Sequence, residues 1–122
     1  MIKINKSKKI VKKKWGVEII LHNDDKYCGK ILKFCAGAEF SMHFHIKKTE
    51  TWYVNKGELI IRYIDVKDAT KYEKKLMVGD VIEIEKGCPH QLFAITESEI
   101  FEVSTQHFDD DSYKIIKGDS QK

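Results

Sequence analysis

The sequence has few of the residues that define several large protein classes. Its three cysteines are odd in number and lack paired C-x-x-C spacing, which argues against a disulfide framework and against a zinc knuckle. No apolar run approaches the ~18 residues that a membrane span needs, and the lysine-rich start lacks the apolar core of a signal peptide. We therefore expect a soluble, cytoplasmic protein with no membrane partner.

Arginine is almost absent, and this bears on the basic character of the chain. Arg62 is the one arginine among 22 basic residues, and the net charge is +3. The lysine run "KSKKIVKKK", residues 6–14, could suggest a nucleic-acid surface, but lysine dominates along the entire chain, which indicates a compositional bias. We expect no nucleic-acid partner and predict that this run forms a solvated face or lies against the acidic C-terminal segment.

Proline occurs once, at Pro89, and no helical period is present, so strands must form the fold. With 42% hydrophobic residues in 122 positions, the chain can bury a core as one domain over residues 1–122. Residues typical of strands are concentrated in roughly eight segments: "GVEIILH", "GKILKF", "EFSMHFHI", "TWYVN", "ELIIRYIDV", "KLMVGDVIEIE", "HQLFAI" and "EIFEVST". Turns such as "NKGE" and "EKGCP" separate them, which predicts an all-β antiparallel sandwich or barrel.

One strand-like segment carries potential metal ligands. His43 and His45 share a strand face because side chains alternate. Glu50 joins them if "IKKT" forms a turn, and His90 follows the loop "EKGCP". Three imidazoles and one carboxylate suit one divalent transition metal ion, such as manganese, iron, cobalt, nickel or zinc. The histidine pair alone fits hydrogen-bonded structural positions equally well, and for His22 and His107 we predict a structural role.

The spacing of these residues resembles the first motif of the cupin superfamily. G-x5-H-x-H-x4-E-x6-G is matched by residues 37–57, from Gly37 to Gly57, and the second motif by residues 79–94. Glu85 and Ala94 stand where that second motif has proline and asparagine. The resemblance implies a double-stranded β-helix, or jelly-roll barrel, that is often dimeric. It also implies a metal ion bound by four residues: His43, His45, Glu50 and His90.

A finer resemblance links nearly the full chain to the cupin domain of type II mannose-6-phosphate isomerases. It rests on the pairs Trp15-Gly16, Pro89-His90 and Glu102-Val103, and on Lys30 and Trp52. It implies a homodimeric isomerase or epimerase whose substrate is a sugar phosphate or a nucleotide sugar. Lys30 would then contact a phosphate, although a solvated lysine is the simpler interpretation.

The catalytic base is left open by the sequence, because strand parity does not show which faces line the cavity. The candidates are Glu39, Glu83, Glu102, Tyr53 and His107. Two other functions use the same ligands: an iron-dependent dioxygenase and a non-catalytic sugar- or effector-binding cupin. The acidic segment "HFDDDSY" lacks the glycine and glutamate of a calcium loop, and we predict that it is solvated.

Overall fold

The computed structural model describes residues 1–5 and 9–122, so the first three residues of the lysine run lie outside the described residues. Within these ranges the chain forms eleven strands and one 3-10 helix, Asp119–Gln121. The strands are β1 Lys9–Lys13, β2 Gly16–Asn23, β3 Cys28–Phe34, β4 Met42–Phe44, β5 Glu50–Lys56, β6 Leu59–Asp65, β7 Thr70–Leu76, β8 Val81–Ile84, β9 His90–Ala94, β10 Ser98–Ser104 and β11 Tyr113–Ile116.

The strands form two antiparallel sheets that pack as a jelly roll, which confirms the predicted all-β fold class. One sheet has six strands in the order β1-β2-β3-β10-β5-β8, and the other has five in the order β11-β4-β9-β6-β7. Alternation decides which face is buried. In β3 and β10 every second residue lies in the interior, as the period-2 pattern of their sequences predicts.

The apolar core fills the space between the sheets. Its fully buried members include Trp52, Val54, Leu59, Leu92 and Ile100. The aromatic residues continue this core toward one end of the barrel, where polar side chains replace it. The apolar core therefore supports a polar cavity at that end.

Two elements differ from the sequence-based expectation. The segment "KLMVGDVIEIE" is not one strand, because β7 ends at Leu76 and a turn with Gly79 at φ +96° precedes β8. The predicted solvated character of "HFDDDSY" is wrong for Asp111, which is buried, and for Tyr113, which begins β11. Hydrogen bonds explain the burial of Asp111, because its side chain accepts from backbone amides of the β4–β5 turn.

The N-terminal segment lies against the C-terminal residues, one of the two arrangements expected for it. The Lys14 backbone N–H donates to Ser120 Oγ (3.2 Å), and Lys14 Nζ donates to the Lys122 carbonyl (2.9 Å). In the described part of the chain, no helix has the length and apolarity required to cross a membrane.

Candidate metal centre

Strand pairing brings three histidines together at the polar end of the barrel. His43 on β4 lies opposite His90 on β9, and their ring centroids are 4.6 Å apart. His45 follows the end of β4, with its ring 5.0 Å from that of His43. One ligand atom from each ring lies within 4.8 Å of the other two, so the three histidines could hold a metal ion.

Backbone carbonyls set the tautomer of each imidazole. The Nδ1 atoms of His43, His45 and His90 lie 2.8, 2.5 and 2.9 Å from the carbonyl oxygens of Ser41, Asp111 and Cys88, respectively. Because a carbonyl oxygen only accepts, Nδ1 must carry the proton and donate it. Each Nε2 therefore holds a free lone pair, which is the state that a metal ligand requires.

Glu50 brings a carboxylate to the same point from the opposite sheet. Its Oε1 lies 3.1 Å from His90 Nε2 and 3.6 Å from His45 Nε2. Among the described residues, neither Glu50 Oε1 nor His90 Nε2 has a hydrogen-bond partner, although both are buried. Lone pairs facing each other without a proton form an unfavourable buried arrangement, and a bound cation would remove this cost. The donor set thus fits a divalent ion.

The charge states agree with this ligand set. Burial lowers the pKa of His43 well below its usual value, and the neighbouring imidazoles of His90 and His45 lower it further. Burial alone would raise the pKa of the Glu50 carboxyl, but His90 and Lys48 outweigh it and hold this pKa below the usual range. Neutral imidazoles and an ionised carboxylate are therefore present at neutral pH.

Lys48 connects the candidate centre to a second buried carboxyl. Lys48 is only 3% exposed; its Nζ lies 3.3 Å from Glu50 Oε2, 3.3 Å from Glu102 Oε2 and 3.1 Å from His107 Nδ1. Burial, and then the charge of Glu50, raise the pKa of Glu102 to about 7. Burial, and then Lys30 and Lys48, lower the pKa of His107 to about 4. Sequence reasoning missed Lys48, because one of many lysines in a polar turn belongs to no motif that could identify it.

A cavity of about 430 Å³ opens beside these residues and sorts the five candidate bases. Glu102 and His107 line it. Glu39 pairs instead with Arg62 and Lys122, Tyr53 is exposed, and Glu83 lies on β8, outside this cavity. The structure therefore leaves two of the five as neighbours of the candidate centre.

Two further side chains in the cavity wall have informative environments. Lys30 is 4% exposed and its Nζ lies 2.6 Å from Glu18 Oε1, so the interpretation as a solvated lysine is wrong. Trp52 is buried in the same wall, and its Nε1–H has no hydrogen-bond acceptor among the described residues. Sequence reasoning assigned Trp52 to packing alone, because an unsatisfied N–H is visible only in three dimensions.

The C-terminal segment fixes the turn between the two histidines and Glu50. The Asp111 carboxylate accepts from the Ile46 and Lys47 backbone amides, while its carbonyl accepts from His45 Nδ1. A buried carboxylate bound to two amides is firmly oriented. Asp111 thus holds the turn that sets the relative positions of His45 and Glu50.

A jelly roll whose cavity gathers three imidazoles and a carboxylate defines the class of metal-binding β-barrels. The chain belongs to the cupin family: the family described as Cupin matches residues 30–118. A search of curated protein sequences gave no significant match.

Solved structures support the fold. The oxalate decarboxylase of Bacillus subtilis superposes with a TM-score of 0.80 at 16% identity, covering 88% of this chain and 30% of that one. The capsular polysaccharide assembling protein CapF of Staphylococcus aureus gives 0.78 at 19% identity, covering 90% and 34%. The oxalate decarboxylase has Mn(II) centres. This chain spans about a third of the length of these proteins, and at such identities the likeness shows the fold alone.

Proposed function

We propose that residues 1–122 act as one metal-dependent cupin domain that isomerises or epimerises a sugar phosphate or an activated sugar. One divalent transition metal ion would be held by His43, His45, Glu50 and His90. The observation that carries this proposal is the set of unprotonated Nε2 atoms facing the unpartnered Glu50 Oε1 in one cavity.

The charge of the cavity wall supports an anionic substrate. Five lysines and four carboxylates line it: Lys9, Lys13, Lys30, Lys48 and Lys114, with Glu18, Glu50, Glu102 and Asp109. A divalent ion adds two positive charges to this excess of one. A wall of this net charge favours a phosphorylated ligand, and Lys30 is the buried lysine placed to contact it through the cavity.

The chain supplies groups for binding and for proton transfer beside the ion. When bound, the ion would supply Lewis acidity toward carbonyl and hydroxyl oxygens of the substrate. Glu102 is suited to hold or move a proton at its carboxyl oxygens, because its pKa of about 7 lies near the working pH. Trp52 Nε1–H can donate to a substrate oxygen, and the aromatic wall formed by Phe40 and Trp52 excludes water.

The first test is the metal content of the protein purified without a histidine tag. We expect near-stoichiometric metal by mass spectrometry in the native protein and none in the His43→Ala/His90→Ala double variant. His22→Ala is the matched control, because this histidine lies outside the cavity and stacks on Tyr27, so its metal content should stay at the native level. Equal metal in the double variant, or none in the native protein after reconstitution, would contradict the assignment.

The second test separates the three functions. The metal-loaded protein is incubated with sugar phosphates and nucleotide sugars, and isomerised product is followed without oxygen. Turnover that needs the metal supports the proposal. Oxygen uptake dependent on iron(II) would indicate the dioxygenase instead, and ligand binding without turnover would indicate the non-catalytic cupin.

A further inference from the structure

The outer face of the six-stranded sheet carries an uninterrupted apolar row that the proposed function does not use. The pairing register places Ile10 beside Ile19, Ile19 beside Ile31, Ile31 beside Phe101, Phe101 beside Tyr53, and Tyr53 beside Val81. The row, which we name the outer row, therefore takes one residue from each of the six strands: Ile10, Ile19, Ile31, Phe101, Tyr53 and Val81. Their chain neighbours point into the barrel, as Trp52 and Glu102 do.

These side chains are exposed in the single chain. Ile10 is 60% exposed, Val81 62%, Tyr53 43% and Phe101 39%, and Val103 on the adjacent row is 48% exposed. A solvated face of an antiparallel sheet normally carries polar residues. The outer face of the five-stranded sheet does so, because Arg62 forms ion pairs there with Glu39 and Glu73. A contiguous apolar face of this kind marks an interaction surface.

The dimensions of the face suit a second copy of the chain. Six strands spaced at ~4.8 Å give a row about 24 Å long, and three residues on one face of a strand cover up to about 20 Å. This is a flat footprint of roughly 500 Å², and protruding side chains raise the accessible area toward the ~800 Å² per partner of a standard interface. Two such faces pack as aligned sheets, as in a β-sandwich.

Charges on the two sides of the outer row determine the orientation. One flank, Lys12, Val17, Lys33, Glu99 and Lys56, is basic, and the Lys33–Glu99 ion pair leaves Lys12 and Lys56 to face a partner. The other flank runs through Val103 and Thr51 to Glu83. A two-fold axis along the row would place Lys56 of one copy near Glu83 of the other. An axis along the strands would place Lys12 over Lys56, two like charges.

We propose that the outer face of the six-stranded sheet is the interface of a symmetric homodimer whose two-fold axis runs along the outer row. In this arrangement each apolar row packs on its counterpart, and each Lys56 pairs with the Glu83 of the other copy. The interface lies on the opposite face of the sheet from the cavity, so it leaves the cavity open.

The first experiment measures the mass of the full chain in solution by sedimentation equilibrium over a wide concentration range. We expect twice the chain mass of 14.3 kDa for the native protein. Phe101→Lys should weaken association at least 100-fold, whereas Ile60→Lys, a matched change on the other sheet, should leave the dimer intact. A native protein that is monomeric throughout, with the face free for a different partner, would overturn the proposal. So would dissociation by Ile60→Lys alone.

The second experiment tests the orientation and does not depend on tolerance of a lysine in the apolar row. Lys56→Glu and Glu83→Lys should each weaken the dimer about tenfold, and the double exchange should restore native association because the pair is re-formed with reversed signs. If Lys56→Glu strengthens the dimer, Lys12 rather than Glu83 faces it, and the proposed axis is wrong.

Discussion

Single atoms at the cavity determine what this cupin can bind. Each of the three imidazoles donates from Nδ1 to a main-chain carbonyl, so their orientation depends on the backbone and not on a second charged side chain. Main-chain acceptors cannot titrate, and they keep Nε2 available at every pH at which the ring is neutral. The carboxylate of Glu50 is the partner whose charge depends on neighbours, including His90 and Lys48.

The unpartnered N–H of Trp52 leads to a prediction about ligand affinity. Trp52→Phe should weaken binding of a sugar-phosphate ligand to the metal-loaded protein about tenfold, because one hydrogen bond to the ligand is lost. Tyr53→Phe is the control: it removes a hydroxyl from the next residue, which faces outward. Affinities would be measured by calorimetry, with the melting temperature recorded for both variants. Unchanged affinity in Trp52→Phe would assign this side chain to packing alone.

His107 leads to a prediction about acid stability. Its pKa of about 4 in the folded state lies below that of an unfolded histidine, because burial and the charges of Lys30 and Lys48 oppose protonation. The unfolded chain therefore binds an extra proton between about pH 6.5 and pH 4, and stability falls as the pH is lowered through that range. The loss assigned to this residue is about 2–3 kcal/mol.

The measurement is urea unfolding of the native protein and of His107→Gln, with chelator present, from pH 8 to pH 4. The difference at pH 8, where both side chains are neutral, reports lost contacts and serves as the internal reference. We expect the variant to lose less stability than the native protein toward pH 4. Parallel curves over the whole range would show that His107 accepts a proton freely in the folded state.

At the scale of strands and turns, two glycines of the family motifs have different reasons for being glycine. Gly57 has φ +85°, and a Cβ there would clash with the Glu97 carbonyl oxygen and with Ser98 Oγ. Gly79 has φ +96°, but within the described residues no atom lies within 4 Å of the position that an added Cβ would take. The first turn needs both the backbone conformation and the space, whereas the second needs only the conformation.

Gly57→Ala should therefore destabilise the protein by more than about 2 kcal/mol, against about 1 kcal/mol for Gly79→Ala, which carries the strain without the clash. Urea unfolding of the two variants measures this difference directly. Equal losses would mean that the β5–β6 turn and β10 move apart at little cost.

The elements that sequence reasoning found are those whose pattern is local. β3 and β10 alternate apolar and polar residues, and the four candidate ligands have fixed spacing, so both could be predicted. β7, "TKYEKKL", is charged on both faces because it forms a sheet edge, and its sequence carries no period. Lys48 and Asp111 act through partners 54 and 66 residues away, and no local pattern indicates such contacts.

For the whole molecule, the candidate centre joins parts that are distant in sequence and belong to different sheets. His43 and His90 come from the five-stranded sheet and Glu50 from the six-stranded sheet, so only the folded chain presents them together. An ion that binds the native state and not the unfolded chain stabilises the fold by mass action, by about 2.7 kcal/mol at about a hundred times its dissociation constant.

For a chain of this length that gain corresponds to a rise of roughly 10 °C in melting temperature. We expect the melting temperature to increase steadily with free metal concentration in the native protein and to stay constant in His90→Ala. Calorimetry at buffered metal concentrations would measure both. A rise of the same size in His90→Ala would place the stabilising ion elsewhere on the chain, since without the His90 imidazole the remaining Nε2 atoms and the Glu50 carboxylate no longer surround one position.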